Sequence, residues 1–121
     1  MTQNRVRCTL RIGLKNESSF WGSGVAELLH QIEQCHSLRA AAQHMNMSYS
    51  KAWKIIHEAE AGLGFPLIKS ASGGAQGGGS HLTRTACELL SAYDMMVAAV
   101  QTVLEQEFIN RIQPILNAQN T

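Results

Sequence analysis

The feature that most constrains this chain is a pair of helical patterns joined by a short turn, in residues 37–64. Ser37 and Ser48 are favourable N-caps, each placed directly before the start of one pattern. Asn46 lies between the patterns and tolerates the left-handed backbone that a tight turn needs. The segment therefore predicts two short helices that fold back on each other.

The apolar residues of the two patterns fall on one face of each predicted helix. They are Leu38, Ala41, Ala42 and Met45 on the first, and Ala52, Ile55, Ile56, Ala59 and Leu63 on the second. Alanine permits the close approach that a tight helix crossing requires, and Gly62 and Gly64 are stop signals for the second helix. We therefore predict a helix-turn-helix over about 37–63.

The sequence before this pair predicts one strand and one further helix. Every second residue from 6 to 14 is apolar, which is the pattern of a half-buried strand. These residues are Val6, Cys8, Leu10, Ile12 and Leu14. NESSFWGSG is predicted as a loop, and Ser23 is expected to cap a helix over VAELLHQIEQC.

The sequence after the pair predicts a glycine-rich hairpin over about 67–83, with strands at 67–69 and 80–82. Its tip contains Gly73, Gly74, Gly77, Gly78 and Gly79. The tip fits a phosphate-binding loop except that Gly79 replaces the lysine, which disfavours nucleotide binding. Two interpretations remain open: a mobile hairpin tip, or a wing whose backbone amides and few cations, Lys69 among them, lie along a DNA backbone.

A long amphipathic helix is predicted over about 84–112, with Thr83 as its cap. Its apolar seam has coiled-coil-like spacing and consists of Leu90, Tyr93, Val97, Val100 and Leu104, widened by Met96, Val103 and Phe108. The helix is longer than a globule of 121 residues needs, so we expect part of it to pack against a second copy of the chain. Pro114 is expected to end the helix and leave a polar tail.

Charge is segregated along the chain, although the net charge is only +1. Between residues 36 and 85 the only acids are Glu58 and Glu60. The basic residues there are Arg39, Lys51, Lys54, Lys69 and Arg84. Three scattered cysteines fit a reducing compartment, and no signal peptide or membrane span is recognisable, so we expect one cytoplasmic domain over 1–121 with no membrane partner.

The second helix of the pair is the candidate reader of DNA. Its outward positions are Tyr49, Ser50, Lys51, Lys54 and His57. The first turns of such a helix meet base edges in the major groove, although an ordinary solvated face would show similar residues. Trp53 is either a partly buried packing residue or a base contact, and Arg39 is either a phosphate contact or a solvated side chain. Ser37 and Ser48 are primarily helix N-caps. The free backbone amides at each of these helix N-termini can also bind a phosphate.

Catalytic and metal interpretations have little support in the sequence. Cys35 and His36 are neighbours, but no C-x-x-C or H-x-x-x-H spacing accompanies them, and the sequence has no second carboxylate or base at a useful spacing from Asp94. We therefore expect no catalytic residue, no metal site, no cofactor and no enzymatic activity.

These residues together carry a family resemblance. Residues 48–70, SYSKAWKIIHEAEAGLGFPLIKS, resemble the recognition helix and following strand of the LysR-type winged helix-turn-helix. SYSKAW, the glycine tip and LTR further resemble the N-terminal domain of the ModE molybdate-responsive regulators, over roughly residues 5–108. The resemblance implies a mainly α winged helix-turn-helix with a small β component and a long C-terminal dimerisation helix.

The resemblance also implies a prokaryotic homodimer that binds a palindromic site in double-stranded DNA. Carried over by position, Tyr49, Ser50, Lys51, Trp53, Lys54 and His57 are similar to groove-facing residues. Because the sequence ends at Thr121, we expect no molybdate-binding region, and the effector stays open. The alternative is a winged-helix protein-interaction module that does not read DNA sequence.

Overall fold

The structure, a computed structural model, describes residues 5–70 and 79–119. Within those ranges the chain forms five helices and four short strands. The helices are α1 (Ser23–Cys35), α2 (Leu38–His44), α3 (Tyr49–Leu63), α4 (Arg84–Arg111) and α5 (Gln113–Gln119). The strands are β1 (Leu14–Lys15), β2 (Ser19–Trp21), β3 (Ile68–Ser70) and β4 (Ser80–Leu82). The predicted fold class, mainly α with a small β component, is confirmed.

The chain divides into two compact units, one of Ile12–Ala92 and the other of Met1–Arg11 with Tyr93–Thr121. Helices α1, α2 and α3 form the core of the first unit, in which Leu28, Leu29 and Ile32 are fully buried. The alanines predicted at the helix crossing are buried as well: Ala41, Ala42, Ala52 and Ala59. Their small side chains let α2 and α3 approach closely, which fixes the direction in which α3 presents its opposite face.

Both predicted caps and the predicted turn of the helix-turn-helix are present. The Ser37 hydroxyl accepts a hydrogen bond from the Ala40 amide at 3.0 Å, and the Ser48 hydroxyl accepts one from the Lys51 amide at 3.1 Å. Asn46 has the left-handed backbone expected of it, with φ 55°. The cap bonds satisfy amides that a helix N-terminus otherwise leaves unpaired, so both helices begin where the sequence predicts.

The wing is an antiparallel hairpin in which Lys69 pairs with His81 and Ser70 pairs with Ser80. Its first strand begins one residue later than predicted. Thr83 joins the hairpin to α4, since its amide donates to the Leu67 carbonyl at 2.9 Å and its hydroxyl accepts from the Ala86 amide at 3.1 Å. Four of the glycines predicted at the tip, Gly73, Gly74, Gly77 and Gly78, lie outside the described residues.

The predicted strand over 6–14 is wrong for most of its length. Only Leu14–Lys15 is a strand, and it pairs with Ser19–Trp21, which the sequence analysis assigned to a loop. A strand needs hydrogen-bond partners, and residues 5–13 are in no strand pairing within the described parts of the chain. The alternation of apolar residues alone does not show whether a pairing partner is present.

The predicted N-cap of α1 was also wrong, because Gly22 is the N-cap of α1 and Ser23 lies inside the helix.

Gly62 does not end α3, which continues to Leu63 and stops at Gly64 with φ 85°. A Cβ atom at Gly62 would lie 2.3 Å from the Phe20 ring. The glycine is therefore needed for the close contact between α3 and β2 rather than for helix termination.

Pro114 lies in the first turn of α5, where the missing amide hydrogen costs no intrahelical bond. Helix α4 ends at Arg111, before the proline as predicted. The polar tail predicted after it is wrong, because Gln113–Gln119 is helical.

Helix α4 is 28 residues long and leaves several large apolar side chains exposed. Met95, Val103 and Ile109 are 71%, 62% and 55% exposed. By length and composition the helical stretch Arg84–Gln119 could cross a membrane, a test that helices of soluble proteins also pass. No membrane span was recognisable in the sequence, because Ser91, Asp94 and Gln101 interrupt the apolar run.

Candidate nucleic-acid interface

The outward face of α3 lies opposite the residues that bury the helix. Ala52, Ile56 and Ala59 are fully buried, which turns the other side of the helix to solvent. The exposed residues on that side are Tyr49, Ser50, Lys51, Trp53 and Lys54, with His57 partly exposed. All six groove-facing residues predicted for α3 are thus accessible, and the cap at Ser48 places them in the first turns of the helix.

Arg39 and Tyr49 form a contact that joins α2 to α3. The guanidinium carbon of Arg39 lies 4.4 Å from the centre of the Tyr49 ring, the geometry of a cation–π interaction. This contact restricts the long arginine side chain and presents its charge beside the N-terminus of α3. Both residues are candidate site residues in the sequence, but their contact could not be predicted, because it depends on how the two helices cross.

A polar cleft of about 300 Å³ lies beside this pair, between the helices and the base of the wing. It is lined by Ser37, Leu38, Arg39, Tyr49, Ser70, Gly79 and Ser80. Hydroxyl groups and one guanidinium are suitable donors to phosphate oxygens. The cleft therefore brings Ser37, Arg39 and the base of the wing together, and a DNA-binding role for these residues stays a prediction.

The base of the wing is fixed to the corner between α1 and α2. The Ser80 amide donates to the His36 carbonyl at 2.8 Å, and the His36 and His81 ring centres are 5.2 Å apart. A Cβ atom on Gly79 would lie 2.4 Å from that same carbonyl oxygen, so glycine is required there for close backbone approach. Sequence reasoning missed this anchor, since no local pattern links residue 36 to residue 80.

The two acids near the interface have different roles. A carboxylate oxygen of Glu60 accepts hydrogen bonds from the Leu67 and Ile68 amides at 2.7 and 3.3 Å, so its charge is engaged in holding β3 to α3. Glu58 is exposed and lies 3.8 Å from the Lys54 ammonium. An exposed pair of this kind contributes only about 0–1 kcal/mol, which leaves Lys54 available to another anion.

Trp53 lies on the surface, with 47% of its area exposed. Its ring is stacked on His57, with ring centres 3.7 Å apart and planes 19° from parallel. Both interpretations of Trp53 stay open, because the indole is accessible on the surface of α3 and is also packed against His57.

Cys35 contacts His44, which the sequence analysis did not pair with it. The Cys35 sulfur lies 3.3 Å from the His44 Nδ1 atom, which is also 3.1 Å from a Gln31 side-chain oxygen. In the described parts of the chain, no three histidine, cysteine or acidic side chains are grouped closely enough to hold a metal ion.

The residues predicted for dimerisation differ in exposure along α4. Leu90 and Tyr93 are buried within the single chain, and Val97 and Leu104 are partly exposed. Val100 is 39% exposed, and the neighbouring Val103 is 62% exposed. The second half of the seam is therefore the part that a second copy could cover, and its role in dimerisation stays a prediction.

The chain has the features of a winged helix-turn-helix protein. Two helices cross through buried alanines, the second helix has one exposed face, and a hairpin is anchored beside them. Residues 25–89, more than half of the chain, match the family described as "Bacterial regulatory helix-turn-helix protein, lysR family". The chain belongs to this family, which confirms the resemblance seen in the sequence.

Individual relatives place the chain near the ModE proteins. It is 32% identical over 98 residues to the molybdenum-pterin-binding protein MopB of Rhodobacter capsulatus, which is 81% of this chain and 36% of the relative. It is 38% identical over 69 residues to the transcriptional regulator ModE of Haemophilus influenzae, covering 57% and 27% of the two chains. The DNA-binding transcriptional dual regulator ModE of Escherichia coli K12 is 32% identical over 78 residues, covering 64% and 30%. The matched region thus spans about a third of these relatives or less.

Proposed function

We propose that this protein is a transcriptional regulator that binds double-stranded DNA, with α3 in the major groove and the wing along the backbone. The observation that carries the proposal is the exposed face of α3, which presents two lysines, a serine and two aromatic residues beside a polar cleft. Hydroxyl and ammonium groups can donate to base edges and phosphates. Membership of a regulatory helix-turn-helix family supports the same function.

The single-domain organisation predicted for residues 1–121 belongs to this proposal. The helix-turn-helix, the wing and α4 would act together as one DNA-binding unit in the cytoplasm. We propose that two such chains associate through the exposed apolar residues of α4 and bind a palindromic operator. Two-fold symmetry would then place the two copies of α3 on half-sites about one helical turn, roughly 34 Å, apart.

The regulated genes are proposed to concern molybdenum, because the relatives bear names such as "Transcriptional regulator ModE" and "Molybdenum transport protein ModE". Those relatives are longer proteins, so nothing about an effector is carried over from them.

The proposal is tested by incubating the purified protein with fragmented genomic DNA at about 0.15 M salt and sequencing the retained fragments. We expect enrichment of a two-fold symmetric motif, and its genomic positions would identify the regulated genes. A variant that carries both Lys51→Ala and Lys54→Ala is the negative control. Lys15→Ala is the matched control, since Lys15 lies on β1, next to Asn16, which contacts Gly62 near the other end of α3.

Two other outcomes would change the conclusion. Retention of DNA without a motif would indicate a non-specific or architectural binder. No retention at all would contradict the proposed function and favour a winged-helix protein-interaction module, for which exposed Tyr49 and Trp53 would be contact residues.

A further inference from the structure

We propose that Trp53 packs against the C5 methyl group of a thymine and thereby selects a T·A base pair within the operator. The inference rests on the proposed function, since it assigns a specific reading role to one residue of the DNA-binding face. It is carried by the exposure of the indole, by its fixed orientation and by the chemistry of the groove.

Trp53 is far more exposed than the other tryptophan of the chain. The adjacent Ala52 is fully buried, and the other tryptophan, Trp21, is only 3% exposed, whereas Trp53 is 47% exposed. Packing within the chain therefore leaves almost half of the Trp53 surface in water. An indole in such a position offers a large apolar surface and one N–H group to a binding partner.

The indole is held in place by His57. The two rings are stacked with centres 3.7 Å apart, and the His57 Nδ1 atom lies 2.8 Å from the Trp53 carbonyl oxygen. A carbonyl oxygen only accepts, so Nδ1 carries the proton and donates this bond. The bond fixes the imidazole ring, which covers one face of the indole. Because the indole is restrained before DNA binds, little side-chain entropy is lost on contact.

The chemistry of the major groove identifies what this ring can recognise. Base edges there present hydrogen-bond donors and acceptors, and the one apolar group among them is the thymine C5 methyl. Neighbouring Ser50 and Lys54 supply polar contacts on the same side of α3. The indole can donate only one hydrogen bond, through its N–H group, and the rest of its exposed surface is apolar. Thymine is therefore the base whose edge is stabilised most by contact with it.

The test uses a pool of random DNA duplexes prepared in two forms, one with thymine and one with deoxyuridine, which lacks only the C5 methyl. We expect the wild-type protein to enrich a T·A pair at one symmetric position in the thymine pool and to lose that preference in the deoxyuridine pool. A duplex of the enriched sequence should bind about three- to tenfold more weakly after deoxyuridine replaces that thymine, as expected for one buried methyl group.

Trp53→Ala tests whether the preference belongs to this residue. The variant should bind the thymine and deoxyuridine duplexes equally, whereas Trp53→Phe should keep part of the preference. Because the same pair of duplexes is compared in each protein, a change in DNA shape caused by the missing methyl cancels. The midpoint of thermal unfolding checks that the variants are folded.

The outcomes separate the inference from the proposed function. If the wild-type protein binds DNA but deoxyuridine has no effect at any position, or if Trp53→Ala keeps the full preference, the thymine contact is wrong while the regulator remains. If the wild-type protein retains neither pool, both the proposed function and the inference are wrong.

Discussion

The two lysines on the exposed face of α3 have different surroundings. The Lys54 ammonium lies 3.8 Å from Glu58, whereas Lys51 has no ion pair among the described residues. If both read bases, Lys51→Ala or Lys54→Ala should weaken specific DNA binding by about 1–3 kcal/mol. The loss at Lys54 should be the smaller one, because binding already requires it to leave Glu58. Fluorescence anisotropy with the selected operator measures the DNA affinity of each variant. Unchanged affinity in both variants would show that α3 does not read the bases.

Gly79 is the residue at which backbone geometry controls the wing. A Cβ atom there would meet the His36 carbonyl oxygen at 2.4 Å, which is backbone and cannot rotate away. We expect Gly79→Ala to lower the free energy of unfolding by about 1–3 kcal/mol, measured by urea denaturation. Gly24→Ala is the matched control, since Gly24 has open space around it and lies in α1, where alanine is favoured. Equal stability of the two variants would contradict the close contact at the wing.

Tyr93 makes the stability of the fold depend on pH in the alkaline range. Burial raises the pKa of the Tyr93 hydroxyl above its ordinary value, and the neighbouring Asp94 carboxylate raises it further. The folded state therefore holds the proton more tightly than the unfolded state, and stability falls as pH rises above about 10. Tyr93→Phe keeps the buried ring and should reduce this fall. Urea denaturation at several pH values above neutrality measures it, and an unchanged slope in the variant would assign the alkaline loss to other groups.

The junction between α3 and β3 depends on Glu60. Its carboxylate accepts from two amides, and one of them belongs to Leu67, which is fully buried. Glu60→Ala leaves those amides without their acceptor and should cost about 1–3 kcal/mol of unfolding free energy. Glu58→Ala, an exposed acid on the same helix, should change it by no more than about 0.5 kcal/mol. Comparable losses in both variants would contradict a special role for Glu60.

Elements that are determined by residues close together in the sequence could be predicted from it. The helix-turn-helix followed from its caps and turn, because Ser37, Asn46 and Ser48 act on neighbouring backbone.

Residues 6–14 were misassigned to a strand, because a strand depends on a partner that sequence alternation does not identify. Gly62 was misread for a similar reason, since its requirement comes from Phe20, which is distant in sequence. The Arg39–Tyr49 contact and the His36–Ser80 bond were likewise set by tertiary packing.

The exposed apolar residues of α4 can be covered in two ways, by a second copy of the chain or by lipid. Val100 and Val103 are 39% and 62% exposed, and the same stretch is apolar enough to enter a membrane. A second copy is the occupant that the proposed palindromic operator requires. The two possibilities differ in a measurable way, because a membrane helix needs lipid or detergent, whereas a dimer forms in buffer and depends on protein concentration.

A charge on this surface separates the possibilities. Val103→Glu should convert a dimer to a monomer in analytical ultracentrifugation, because a second chain would have to bury the carboxylate without a partner. Helical content should be unchanged, since the valine is exposed in the single chain. Operator binding should weaken strongly, because each chain then holds a single half-site. Thr102→Glu, at an exposed polar position on the side of α4 opposite Val100, adds the same charge away from the seam and should leave the dimer intact. A wild-type protein that is monomeric in buffer, or that floats with lipid vesicles, would contradict the dimer.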